Sequence, residues 1–297
     1  MSKDFGPVLV TGADTGIGRL TVETMAAKGY PTYAGVFDPS NIKELSALEN
    51  VKSIQFDVTK PDDIRKVVDW IEDLGDGLYG VVNNAGISDL WPLIESPESY
   101  FHRVLNVNLY GVYRVTNAVV PFLQQTKGRI VTMGSLSGTI PSKMIGAYSV
   151  SKFAVEALTD IYNFELRKFG ITAITIKPGN VQSNISNASA PILRKRQDDY
   201  EQSSYKEELA PLFDNLDNPA YLKRVQYDKP DRVVESIIDA LYTENPKNKY
   251  LVANELDTKA AMKWMFRVTA QLNQHHTNSI DKVKLHQMLD EQVDKFT

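Results

Sequence analysis

Val8-Leu9-Val10-Thr11-Gly12-Ala13-Asp14-Thr15-Gly16-Ile17-Gly18 carries an apolar, β-branched run into three closely spaced glycines and on into a helix-like stretch over 17–28. Such a junction reads as strand, turn and helix. Glycines there permit a tight turn and let a pyrophosphate approach the backbone. They also aim the amides and positive dipole end of the following helix at that anion. The same spacing suits an ordinary glycine-rich turn, so the surrounding sequence must decide between the two readings.

The rest of the chain repeats the rhythm. Short apolar runs stand at 31–37, 53–56, 80–82, 129–133, 171–176 and 250–253, with helix-like stretches at 61–74, 98–125, 148–168 and 231–243. This alternation predicts a parallel sheet assembled from βαβ units. Strands so apolar are buried on both faces, so helices must cover both sides. The expectation is an α/β fold, a doubly wound, mostly parallel Rossmann-type sheet of about seven strands in a single domain over 1–256. Within it, 184–229 is polar and mixed in charge and reads as loop and helical cover. The tail, 257–297, carries Met262, Trp264, Met265, Phe266 and Val268 and reads as a helical C-terminal extension.

Composition narrows the function. The 297 residues include 33 Lys+Arg against 37 Asp+Glu, a net charge of −4. A slightly acidic chain lacks the positive field that gathers phosphate backbones or anionic lipid, so neither nucleic acid nor a membrane is the expected partner. With no cysteine there are no disulfides, thiolate nucleophiles or cysteine-ligated metals. His102, His275, His276 and His286 have no ligand-like company in the sequence, so no metal is expected. No run is long and apolar enough to span a bilayer, and Met1-Ser2-Lys3-Asp4 opens no signal-peptide pattern. The cytoplasm is the expected location.

Further motifs follow in order. Asn83-Asn84-Ala85-Gly86 comes after the fourth predicted strand, Asn108 in the next helix, and Ser135 after the fifth strand. Tyr148-Ser149-Val150-Ser151-Lys152 and then Pro178-Gly179 complete the series. Tyr148 and Lys152 are four apart on a predicted helix and share a face. In isolation that pair reads first as an amphipathic helix surface, and Ser135 and Asn108 at their spacing turn the reading toward a site. A phenol titrates near 10, and a neighbouring ammonium favours phenolate and draws that value toward neutrality, where Tyr148 is suited to general acid/base work.

With the T-G-x-x-x-G-x-G spacing from Thr11 to Gly18, these motifs resemble the short-chain dehydrogenase/reductase family over roughly 5–183. The turn and Ser151-Lys152-Phe153-Ala154-Val155-Glu156-Ala157-Leu158 are similar to the branch of retinol, hydroxysteroid and 3-hydroxybutyrate dehydrogenases. The resemblance implies hydride transfer between a nicotinamide cofactor and a secondary alcohol or ketone, with Asn108, Ser135, Tyr148 and Lys152 as the catalytic group. It gives Lys152 the nicotinamide ribose, Ser135 the substrate oxygen, and Asn108 a water chain. Asn108 also suits a local helix-bending role.

For the cofactor, the resemblance implies contacts from Thr11, Gly12, Asp14, Thr15, Gly16, Ile17 and Gly18. Asp57 and Val58 fall at the adenine, and Asn84, Ala85 and Gly86 behind the ribose. Tyr148 and Lys152 join them, and Pro178, Gly179, Val181 and Ser183 flank the carboxamide. Asp57 alone reads equally as a strand-end turn residue. At the end of the second strand the usual acidic position is Val36 and the usual basic one is Phe37, while Asp38 stands two residues late. With no Lys or Arg between Gly12 and Gly16, NAD is the expected cofactor and NADP the alternative.

Leu90, Trp91, Met144, Ile145 and the 184–229 cover are expected near a largely apolar small-molecule substrate. Arg194, Lys195 and Arg196 read either as a carboxylate receptor or as a solvated charge run. Trp264-Met265-Phe266 reads as a packed helix or a membrane contact. Family resemblance implies a homodimer or homotetramer formed through the helices of Asn108 and Tyr148. An NADPH-dependent carbonyl reductase and a non-catalytic dinucleotide-sensing regulator are the rival readings.

Overall fold

A computed structural model describes residues 5–224, 227–274, 277 and 279–296. The strands are β1 (Val8–Thr11), β2 (Thr32–Val36), β3 (Val51–Gln55), β4 (Gly80–Asn83), β5 (Arg129–Met133), β6 (Thr172–Pro178) and β7 (Lys249–Val252). They form one sheet in the order β3-β2-β1-β4-β5-β6-β7, every pair parallel. Between them run α1 (Gly16–Ala27), α2 (Ile42–Leu45), α3 (Pro61–Leu74), α4 (Glu98–Leu105), α5 (Val112–Thr126) and α6 (Gly146–Leu166). The cover comprises α7 (Ile185–Arg194), α8 (Gln197–Gln202), α9 (Lys206–Phe213) and α10 (Pro219–Leu222), and α11 (Asp231–Tyr242) leads to β7. After β7 come α12 (Glu255–Leu272) and α13 (Lys282–Phe296).

Successive side chains on a strand point to opposite faces, and β1 shows the consequence. Val8 and Val10 join Val22 and Met25 of α1 and Val233 and Ile237 of α11 in one buried cluster. Leu9, between them, packs on the other face with Ile64, Val67 and Ile71 of α3, Val115 and Val119 of α5 and Tyr162 of α6. The sheet is therefore doubly wound, as its apolar runs require. A third cluster, Trp91, Leu193, Tyr200, Leu209, Leu212 and Leu222, gives the cover a small core of its own.

Strand β1 pairs with β2 on one side and β4 on the other. Chain direction across the sheet reverses there, which opens a crevice beyond the carboxyl ends of the strands. The predicted helix over 98–125 divides into α4 and α5 around a wider, π-helical turn at Asn106–Gly111. Such a turn inserts one residue into the helix and often marks a functional position.

The chain divides into two compact units, Met1–Asn254 and Glu255–Thr297. In the second, Asn273 closes the connection between α12 and α13: its amide donates to the Ile280 carbonyl at 2.7 Å and its Oδ1 accepts from Ile280 N–H at 2.8 Å. Among the described residues no helix is long and apolar enough to cross a membrane.

Candidate active site

The glycine turn packs against the β4 turn. Gly12 has φ +64°, and a Cβ there would stand 2.9 Å from the Ala85 Cα; at Gly18 a Cβ would stand 2.2 Å from the Gly12 carbonyl oxygen. Only glycine lets the two turns and the start of α1 meet. Thr11 and Asn84 fasten the joint: Thr11 Oγ1 accepts from the Asn84 and Ala85 N–H groups at 3.0 Å, and the Asn84 amide donates to the Thr11 and Gly12 carbonyls at 3.0 Å. Thr15 makes no side-chain capping bond, and the first turn of α1 has no acidic residue. Its leading amides are thus left for an anion from outside.

A cavity of about 1210 Å³ lies along the crevice. Of the residues expected at cofactor and substrate, Gly12, Asp14, Thr15, Gly16, Ile17, Phe37, Asp57, Val58, Asn84, Ala85 and Gly86 line it. So do Ser135, Tyr148, Lys152, Pro178, Gly179, Val181 and Ser183. Thr11, Gly18 and Asn108 stand behind the wall. Thr11 ties the two turns, Gly18 packs α1 onto Gly12, and Asn108 is a brace: its amide donates to the Ile87 carbonyl (2.9 Å) and Ser151 Oγ (3.0 Å), while Oδ1 accepts from Ile87 N–H (2.8 Å). Both amide hydrogens are used, so the side chain ties the Ile87 segment to α6.

Tyr148 and Lys152 converge from consecutive turns of α6, as their spacing requires. Lys152 is buried, and its Nζ donates to the Met133 carbonyl at 2.7 Å and sits 5.5 Å from the centre of the Tyr148 ring. Burial lowers its pKa to about 8, with Glu156 acting in the opposite direction. For Tyr148, burial dominates and raises the phenol, while a hydrogen bond from Ser135 and the charge of Arg224 pull it down. In the cofactor-free cavity burial therefore opposes the lowering that the sequence leads one to expect from a neighbouring ammonium. Ser135 opens a short helical turn and also accepts from Ser137 N–H at 3.1 Å. The group can hold a carbonyl or carbinol oxygen between two hydroxyls with a cation close behind.

Asp57 is a strand-end turn residue, its Oδ1 accepting from the N–H and hydroxyl of Thr59 at 2.9 and 2.7 Å, and it borders the cavity. Asp14 has a role the sequence did not disclose. Its carboxylate accepts from Phe37 N–H and Asp38 N–H, both at 2.8 Å, which anchors the end of β2 to the first turn. Val36 is fully buried, whereas Phe37 is 67% exposed.

On the substrate side Leu90, Met144 and Ile145 line the cavity and Trp91 does not. Trp91 is buried beneath Arg196, whose guanidinium carbon lies 3.7 Å from its ring centre and 4.7 Å from that of Tyr100. The charge run 194–196 is thus neither receptor nor fully solvated. Arg194 pairs with Asp217, Lys195 is exposed, and Arg196, 3% exposed and bonded to Asp199, is a strut of the cover. Sequence reading missed Leu209, Leu212, Tyr221, Arg224 and Tyr227, which the cover contributes to the wall. Short helices without strand or long-helix periodicity gave no signal for them. Among the described residues no group of acidic and histidine side chains is placed to hold a metal ion; His275 and His276 lie outside those residues.

The uncapped amides of α1, the backbone-lined turn at Gly12 and the cavity they border fit a nicotinamide dinucleotide, whose pyrophosphate Gly16 and Ile17 would hold. The family comparison agrees. A model described as short chain dehydrogenase matches residues 7–192, and the chain belongs to that family. It is 38% identical over 195 residues to mouse estradiol 17-beta-dehydrogenase 2, covering 62% of this chain and 50% of that protein. It is 35% identical over 185 residues to mouse retinol dehydrogenase 5, covering 61% and 58%. The chain thus matches little more than half the length of these relatives. A short-chain dehydrogenase from Streptomyces avermitilis has the same fold, with TM-score 0.73 at 22% identity over 92% of this chain and 96% of that one.

Proposed function

We propose that the protein is a nicotinamide-dependent dehydrogenase that interconverts a secondary alcohol and a ketone, using NAD(H) in preference to NADP(H). The observation that carries this reading is the convergence of Tyr148, Ser135 and Lys152 on one cavity, beside the open N-terminus of α1. When bound, the cofactor takes up or supplies hydride. Tyr148 accepts the carbinol proton in oxidation and returns it in reduction. Ser135 donates to the substrate oxygen, and Lys152 provides the positive charge that steadies a phenolate at Tyr148. Asn108 and Gly86 keep the surroundings of Lys152 in place.

The preference for NAD rests on charge. The first turn and the end of β2 contribute Asp14 and Asp38 to the cavity wall and no cation. Arg19, one candidate for meeting a 2′-phosphate, is bound to Glu23 and Glu44 instead. Lys43, the other, is not on the wall. A phosphate brought there would meet carboxylates. The same reading includes a homo-oligomer, supported by an exposed apolar stripe on α6.

Parallel titration with NADH and NADPH, followed by energy transfer from tryptophan, tests the binding; turnover of secondary alcohols by wild type and Tyr148→Phe tests the chemistry. Tighter NADH binding and a Phe variant that binds cofactor with turnover abolished are expected. Tighter NADPH binding would make the protein a carbonyl reductase. Retention of most turnover in the Phe variant would remove Tyr148 as the acid/base.

A further inference from the structure

One cation on the cavity wall has entered so far only through the pull of its charge on the Tyr148 phenol. Arg224 closes the short helix α10 with φ +56°, in the left-handed region that favours glycine. Its N–H donates to the Tyr221 carbonyl, and its own carbonyl accepts from Tyr227 N–H, both at 3.0 Å. The guanidinium donates to Asn180 Oδ1 at 2.7 Å and lies 4.6 Å from the centre of the Tyr227 ring. Asn180 directly follows Pro178-Gly179 at the carboxyl end of β6, so the bond tethers a cover residue to the wall that borders Tyr148.

A guanidinium carries five N–H donors in a planar fork. Among the described residues Arg224 has one hydrogen-bond acceptor and no ion-pair partner. The other cations on this wall are differently disposed. Lys152 is committed to Met133, and Arg103 is exposed on α4. Glu208, the cover's acidic residue on the wall, is exposed and forms no ion pair with Arg224. The cover brings Leu209, Leu212 and Tyr221 to the same cavity wall. A half-buried, oriented fork with spare donors on a cavity wall is a receptor for a planar anion.

We propose that Arg224, held by Asn180 and Tyr227, receives a carboxylate of the substrate, so that the alcohol is a hydroxy acid and the ketone a keto acid. The carbinol then lies at Tyr148 and Ser135 and the acid group at Arg224. This rests on the dehydrogenase reading, and the test separates the two.

The probes are 3-hydroxybutanoate, 4-hydroxypentanoate and 5-hydroxyhexanoate, each beside its methyl ester, with NAD⁺ as oxidant. In these the secondary carbinol stays next to a methyl group while the carboxylate moves outward. In wild type the best acid should exceed its ester about 10- to 100-fold in kcat/KM, mainly through KM, the range for a hydrogen bond to a charged group. Arg224→Gln should erase that preference and Arg224→Lys keep part of it. Lys223→Gln, which removes the neighbouring exposed charge, should leave it intact. Independently, calorimetric binding of valerate to the cofactor-free protein should weaken by a similar factor in Arg224→Gln.

Equal use of acid and ester by wild type, or a preference that survives Arg224→Gln, overturns the proposal. So does Arg224→Gln weakening NADH binding with selectivity unchanged, which assigns the guanidinium to the dinucleotide. Turnover of neutral alcohols with no acid used leaves the dehydrogenase and removes the anion site. Arg224-dependent valerate binding without turnover of any alcohol keeps the anion site and removes the dehydrogenase.

Discussion

Lys152 is held in a setting that disfavours its own charge. Burial lowers its pKa from 10.5 to about 8, so between those values the unfolded chain carries a proton that the folded protein lacks. Stability therefore rises with pH through that window. Urea unfolding of cofactor-free wild type and Lys152→Met at pH 7 and 9.5 should show wild type gaining about 2 kcal/mol relative to the variant; no relative change would mean that Lys152 keeps its ordinary pKa. A second residue-scale prediction concerns Phe37, exposed on the wall where the sequence places the usual basic position. Phe37→Arg should bring NADPH affinity up about tenfold relative to NADH, as a new charged hydrogen bond would, in the same fluorescence titration. Single residues were legible where spacing fixes geometry: Tyr148 and Lys152 share a helix face by arithmetic alone. Asp14, Arg196 and Arg224 were not, because each owes its role to a partner far along the chain, Phe37, Trp91 and Asn180 respectively.

Elements were legible to the extent that periodicity governs them. The five inner strands fall on the apolar runs because a central parallel strand is buried on both faces, and β6 runs to Pro178, two residues beyond the predicted end, through its pairing with β7. The π-helical turn at Asn106–Gly111 was not legible, since it comes with the bonds of Asn108 to Ile87 and Ser151 rather than with local propensity. The four short helices of the cover were read only as cover for the same reason. The first turn yields the sharpest element-scale prediction. In Gly18→Ala the methyl group would meet the Gly12 carbonyl at 2.2 Å and Asn84 Nδ2 at 2.4 Å, and neither can retreat without opening the joint between β1 and β4. The variant should lose roughly 1–3 kcal/mol of stability, the usual cost of overpacking, and bind NADH at least about tenfold more weakly as the turn shifts. Thermal denaturation and the NADH titration measure the two effects, and an Ala variant equal to wild type in both would mean that the turn is slack.

At the scale of the molecule, the parallel sheet was legible because a chain of βαβ units has few ways to bury its strands, whereas assembly depends on which helix face is left over. On α6, Val150, Phe153, Ile161 and Phe164 recur at spacings that keep them on one side, opposite the buried Ser151, Val155 and Tyr162. They are 43%, 41%, 48% and 77% exposed, and Tyr113 on α5 is 51% exposed. A stripe of this kind on the helix of Tyr148 and Lys152 is costly to leave in water, since each square ångström of apolar surface withdrawn is worth about 25 cal/mol. Two copies of one face bury it by two-fold symmetry, which needs no second kind of partner. Sedimentation velocity at micromolar concentration should therefore find a dimer or tetramer. Phe164→Glu, placed at the most exposed position, introduces two like charges across the symmetric contact and should shift the population toward monomer. Because Phe164 is largely solvent-exposed in the single chain, the variant should keep its secondary structure by circular dichroism, which separates lost assembly from lost fold. A wild type that sediments as a monomer at every concentration would assign the stripe to a different partner and remove the homo-oligomer from the proposed function.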